Sequence, residues 1–138
     1  MKISVDDGTM VFAAGTIRPG LDKQTFLNSP VGSDAEAFLM NKPHSTYRIF
    51  PEQGIAATVQ FTDDVLKTVE ILFEMEGDSA ENWSEARELA RKEVHDEWLR
   101  NEIGPPPYRY IWGRLESSYD AKACVSDILV SFDNRPRL

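Results

Sequence analysis

Two histidines, one cysteine and a carboxylate-rich stretch are the side chains best suited to catalysis or metal binding. His95 stands beside Asp96, but the surrounding pattern is helical. Helical partners lie three or four residues apart, so these two do not face each other. His44 lies in a polar loop between Pro43 and Ser45. A zinc site needs about four ligands, three when catalytic, and His44, His95 and Cys124 would meet only through a tertiary coincidence. Both histidines read as surface or boundary residues. Cys124, between Ala123 and Val125, has no neighbouring base to activate it and reads as a small buried hydrophobe.

Carboxylates recur at Glu81, Glu85, Glu88, Glu93, Asp96, Glu97 and Glu102. Glu81, Glu85 and Glu88 share one helical face. A carboxylate pair does acid–base work only where a cleft separates the two pKa values. Here Arg87, Arg91 and Lys92 are interleaved, as on a solvated face. The run Tyr108-Arg-Tyr110-Ile-Trp112-Gly-Arg114 mixes aromatics with arginine. That composition suits a core strand or a protein contact, and less well a platform for stacked bases. Asp6-Asp7-Gly8 and Thr62-Asp63-Asp64 are turn chemistry and fit no calcium-loop spacing. No catalytic residue, metal or cofactor is expected, and the enzyme question is left open on the side of no.

These residues must be positioned by a small set of elements. Lys2–Val5 and Met10–Ala14 around Asp7-Gly8 form a hairpin. Asp22 caps a short helix that reaches Leu27 and stops before Pro30. Gly32–Met40 is open between a helical turn and a loop. Thr46–Phe50, Ile55–Phe61 and Val65–Glu74 read as strands, the last two with apolar alternation at Ala57, Val59, Phe61 and at Val69, Ile71, Phe73. Short connections make them an antiparallel meander. Asp78 and Glu81 have capping-box spacing, so the long helix spans Ser79 to Ile103. Its apolar stripe is Trp83, Ala86, Leu89, Ala90, Val94, Trp98 and Ile103, with Trp83, Val94 and Trp98 facing the sheet. Gly104 and Pro105–Pro107 end it. Arg109–Tyr119 and Val125–Phe132 are the last strands, and Asn134–Leu138 is a tail. The fold class is α+β: one domain, 1–138, with an antiparallel sheet of about five to seven strands and one long amphipathic helix packed on one face.

The chain has 138 residues, 41% of them hydrophobic and 28% charged, a globular mixture. A single cysteine allows no internal disulfide and favours a reducing compartment. The N-terminus has no apolar run of signal-peptide type. The expected location is the cytoplasm. A net charge of −8 disfavours nucleic acid, whose phosphates require cations, and anionic membranes. It serves to keep a small domain soluble, and it also suits a basic protein partner.

Two segments carry resemblances. Pro19-Gly20 through Pro30, with Phe61-Thr-Asp-Asp-Val-Leu66, resembles a small-helix-then-meander unit of bacterial binding modules. Trp83-Ser-Glu85, His95-Asp-Glu-Trp98-Leu99 and Tyr110-Ile-Trp112-Gly113 through Tyr119-Asp120 are similar to small uncharacterised bacterial proteins, some of which are similar to immunity proteins of toxin–antitoxin competition systems. The resemblance implies a cytoplasmic bacterial protein that binds another protein, and it brings no catalytic residues. Immunity proteins are often acidic because many of their partners are basic nucleases.

The leading expectation is a non-enzymatic protein-binding module, immunity-like, binding a basic partner through an acidic surface. Contact residues are expected at Glu85 and Glu88 on the outer helix face, at His44, and at Tyr108, Tyr110 and Arg114. The alternative is a small-molecule-binding or hydrolytic protein with a pocket between sheet and helix. An exposed strand edge would also permit a homodimer.

Overall fold

The computed structural model describes residues 1–133; the tail expected over Asn134–Leu138 lies outside them. The fold is α+β. Strands β1 (Lys2–Ile3), β2 (Met10–Phe12) and β3 (Gly15–Ile17) form a small sheet, and helix α1 (Lys23–Leu27) follows. The main sheet has seven antiparallel strands, β4 (Glu36–Asn41), β5 (His44–Glu52), β6 (Ile55–Thr62), β7 (Val65–Phe73), β8 (Tyr108–Tyr110), β9 (Gly113–Asp120) and β10 (Val125–Phe132), in the order β4-β5-β6-β7-β10-β9-β8. Helix α2 (Glu85–Ile103) connects β7 to β8.

The alternation read from the sequence places one continuous apolar surface across the sheet. Tyr47, Val59, Val69, Val130 and Leu115 form one cross-strand row, and Ile49, Ala57, Ile71 and Ile128 the next. All nine are buried. Asp22 caps α1 as expected, accepting from Thr25 N at 2.8 Å, and α1 drops Phe26 onto Tyr47 and Phe61. Met10, Phe12 and Ile17 of the small sheet join the same core. Helix α2 lies over β7, β9 and β10. The side chains of opposite phase, among them Arg48, Thr58, Glu70, Leu129 and Glu116, form a row on the other face of the sheet.

Several expectations are corrected. Gly32–Met40 is neither helix nor loop throughout: its second half is the edge strand β4, exposed at all six residues. Without a buried side there is no alternation to read. Arg109–Tyr119 is two strands, because the chain turns at Ile111-Trp112. Trp112 is buried there and donates Nε1–H to Val5 O at 2.8 Å. Gly113 follows at φ 151°, and a Cβ on it would collide with the Ser131 carbonyl. Only glycine lets β9 approach β10 so closely.

The long helix begins at Glu85, not Ser79. Ser84 is its cap, accepting from Arg87 N at 3.1 Å. Its buried side is Glu88, Arg91, His95 and Leu99, whereas Trp83, Leu89 and Val94 are 46, 45 and 41% exposed. Trp98 and Ile103 lie at the border, half-buried against the core.

The reason lies in the sheet. The β7–β10 ladder ends at Ile71 and Ile128, so backbone groups of Phe73 and Ser126 are left without partners across it. His95 Nε2 accepts from Phe73 N at 3.0 Å, Arg91 donates to Phe73 O, and Glu88 Oε1 accepts from Ser126 N at 2.9 Å. The helix is a polar wedge where two strands part, and buried backbone groups require polar partners.

A candidate interaction surface on the open sheet face

The uncovered face of the sheet carries a groove of about 500 Å³. Phe38 and Phe50 stand over it, 56 and 63% exposed. Leu72 and Val125 line it, with Glu70 and Asp127 beside them. Phe50 is one residue out of phase with Ile49, so it projects from the open face together with Arg48. The Arg48 guanidinium lies 4.4 Å from the Phe38 ring centroid, a cation–π contact. Burial first, then the neighbouring Glu70, Asp120 and Glu116 carboxylates, push Asp127 up to about 7. Glu70 is raised too, by burial and then by Asp120. Among the described residues, no basic group lies within ion-pair distance of either carboxylate.

A second groove on this face, about 780 Å³, holds Lys67, Thr68, Arg109, Arg114 and Ser131. A third cavity of about 390 Å³ lies between α2 and β8–β9, lined by Lys92, Asp96, Arg100, Tyr108, Arg114 and Ser117 among others. This is the pocket between helix and sheet that an enzyme reading requires. It contains neither histidine, and Lys92 Nζ is engaged by Asp96 at 2.8 Å.

The expected contact residues do not converge. Glu85 is exposed in the first turn of α2. Glu88, expected on the outer face, is 5% exposed. It is held by Arg91 and Ser126 because the strands part beneath it. His44 is exposed at the start of β5, its Nδ1 3.0 Å from Thr62 Oγ1. Tyr108 is buried and donates its hydroxyl to Gly104 O at 3.0 Å. Tyr110 stacks on Trp112, centroids 5.2 Å apart. Arg114 is exposed, directly opposite Arg109. Of these, Tyr110 and Arg114 share the second groove.

Phe38, Phe50, Glu70 and Asp127 are not among the contact residues expected from the sequence. The signal that could have found them is an apolar residue in the polar phase of a strand, as Phe50 is. Two further expectations are corrected. His95 is fully buried rather than at a boundary, and burial, reinforced by Arg91, lowers its pKa to about 4. Cys124 is exposed, not buried. It sits at φ 56° in the β9–β10 turn, where its carbonyl accepts Trp83 Nε1–H at 2.8 Å. Among the described residues no three His, Cys, Asp or Glu side chains are grouped to hold a metal, and no helix is long and apolar enough to cross a membrane.

No family model matches the chain, and no curated protein matches it. A chain of the solved structure titled "Rhs1-CT in complex with cognate immunity protein RhsI1" is similar in fold. The two are 18% identical with a TM-score of 0.65, over 96% of this chain and 86% of that one. What they share is the α+β architecture described above.

Proposed function

We propose that this protein is a non-enzymatic, cytoplasmic binding module of the immunity type, which takes a basic partner protein on the open face of its sheet. The observation that carries the reading is the groove beneath Phe38 and Phe50. Exposed aromatics of this kind are what protein interfaces use as anchors. The paired carboxylates beside them lack a cation, which a lysine or arginine of a partner would supply. A net charge of −8 would speed the approach of such a partner. The fold likeness to a chain of a toxin–immunity complex supports a protein partner. The chemistry of the cavity between helix and sheet gives the hydrolytic alternative no comparable support, since His95 lies sealed away from it.

The test is affinity capture from the native cell with tagged wild-type protein and with a Phe50→Ser/Asp127→Lys variant. One basic protein, recovered in equal amount with wild type and lost with the variant, supports the reading. A bound metabolite with no protein would overturn it.

A further inference from the structure

The two edges of the seven-stranded sheet are finished differently. β8 is three residues long and follows Pro105–Pro107, so it offers little backbone to another strand. β4 has six residues, all exposed, with Phe38, Leu39 and Met40 at 56, 61 and 52%. A free edge bearing consecutive apolar side chains is a template for another strand. The bulge between Ala37 and Leu39 interrupts the ladder locally without removing that apolar centre.

The charges around this edge are polarised. Asp34 and Glu36 lie at its N-terminal end, and Lys42 follows its C-terminal end; all three are exposed. None has an ion-pair partner among the described residues. A second β4 laid antiparallel would put the acidic end of each copy against the Lys42 end of the other, with the apolar centres together. That match holds for any register close to centred. A parallel arrangement would set like charges side by side.

We infer that β4 pairs antiparallel with β4 of a second copy of this chain, joining two seven-stranded sheets through one two-fold edge. Such pairing adds strands at the edge and brings Phe38, which also stands over the open-face groove, beside the second copy. The two contacts are tested separately, so the failure of one is distinguishable from the failure of the other. The pairing is measured on the purified chain alone.

The experiment is sedimentation equilibrium over a concentration series, with circular dichroism to confirm that each variant is folded. Wild type should show twice the 15.6 kDa chain mass. Glu36→Lys and Lys42→Glu should each weaken the dimer at least about tenfold, the effect of setting like charges together across an interface. The double variant Glu36→Lys/Lys42→Glu should recover the wild-type affinity. A wild-type chain that stays monomeric at its highest soluble concentration overturns the inference. So does a dimer whose affinity neither single substitution changes, and so does a double variant no tighter than the singles.

Discussion

Phe73 gives its backbone N–H to Nε2 of His95 at 3.0 Å, and the two rings meet edge to face with centroids 5.1 Å apart. An acceptor nitrogen carries no proton, so the neutral ring bears its hydrogen on Nδ1. Protonating Nε2 would break the bond and bury a charge beside Arg91. Burial and Arg91 therefore outweigh Asp96 and Glu88, and the pKa falls to about 4 from 6.5. The unfolded chain takes up this proton near pH 6.5 and the folded one only near 4. The stability His95 contributes is complete above pH 6.5 and is lost as the pH falls towards 4. His95→Gln should flatten that slope in denaturant titrations across this range. An unchanged slope would show that the ring does not titrate as described. His95→Ala should cost about 2–4 kcal/mol at neutral pH, since it opens a cavity and orphans the Phe73 N–H.

Asp127 pulls the other way. Its carboxyl is protonated up to about pH 7 in the folded chain but ionises near 3.8 when unfolded. Folding therefore loses stability as the pH rises between those values. Asp127→Asn should be neutral in acid and stabilising above pH 7. Because the side chain is partly solvated, about 1–2 kcal/mol is expected rather than the full value of the shift. In that variant the opposing His95 slope should stand out undiminished. Equal wild-type and variant stabilities at pH 8 would refute the assignment.

Much of the sheet is legible in the sequence because its strands alternate. Ala57, Val59 and Phe61 announce a buried side, and Asp22 announces a helix cap through chemistry local to the chain. The face of α2 is not legible. Periodicity assigns the inside of a helix to apolar residues, whereas α2 meets Phe73 and Ser126 where their ladder has ended, so its inward positions are Glu88, Arg91 and His95. The open-face groove is hidden for the same reason: once charge is assigned to the helix exterior, Glu70 and Asp127 on the strands draw no notice.

The helix face has a direct consequence for Trp98. A fully buried tryptophan would cost about 3–5 kcal/mol on truncation to alanine. Trp98 is only half-buried, resting edge-on against Phe73 at 5.5 Å. Trp98→Ala should therefore cost about 1–3 kcal/mol, and Leu99→Ala, which empties a fully buried site, more, at about 2–5 kcal/mol. Thermal denaturation of the two variants ranks them; the reverse order would place the inward face of α2 elsewhere.

Glu88 and Arg91 form a buried pair 3.2 Å apart, extended by Asp78, which holds Arg91 at 2.8 Å. Removing one partner strands the other, a loss of about 3–5 kcal/mol in buried pairs. Arg91 keeps Asp78, but the buried Ser126 N–H loses its acceptor, so Glu88→Ala should fall within that range. Arg91→Ala, which also releases Phe73 O, should cost more. Urea unfolding of the single and double variants should give a double loss smaller than the sum. Strict additivity would mean that the two side chains act independently.

Arg109 and Arg114 face each other directly across β8 and β9, and neither has a carboxylate within ion-pair distance among the described residues. Like charges directly opposite destabilise a strand pair, on a scale of about 0.2–1 kcal/mol. Arg114→Thr should therefore raise stability by a few tenths of a kcal/mol or more at low salt, and Arg109→Thr likewise. At about 1 M salt, where the screening length is near 3 Å, the gain should largely vanish. Each single change already removes the repulsion, so the double variant should gain little beyond either one. Thermal unfolding of all four chains at two salt concentrations checks this. If both substitutions destabilise at low salt, the aliphatic stems of the arginines matter more to β8 than their charges do.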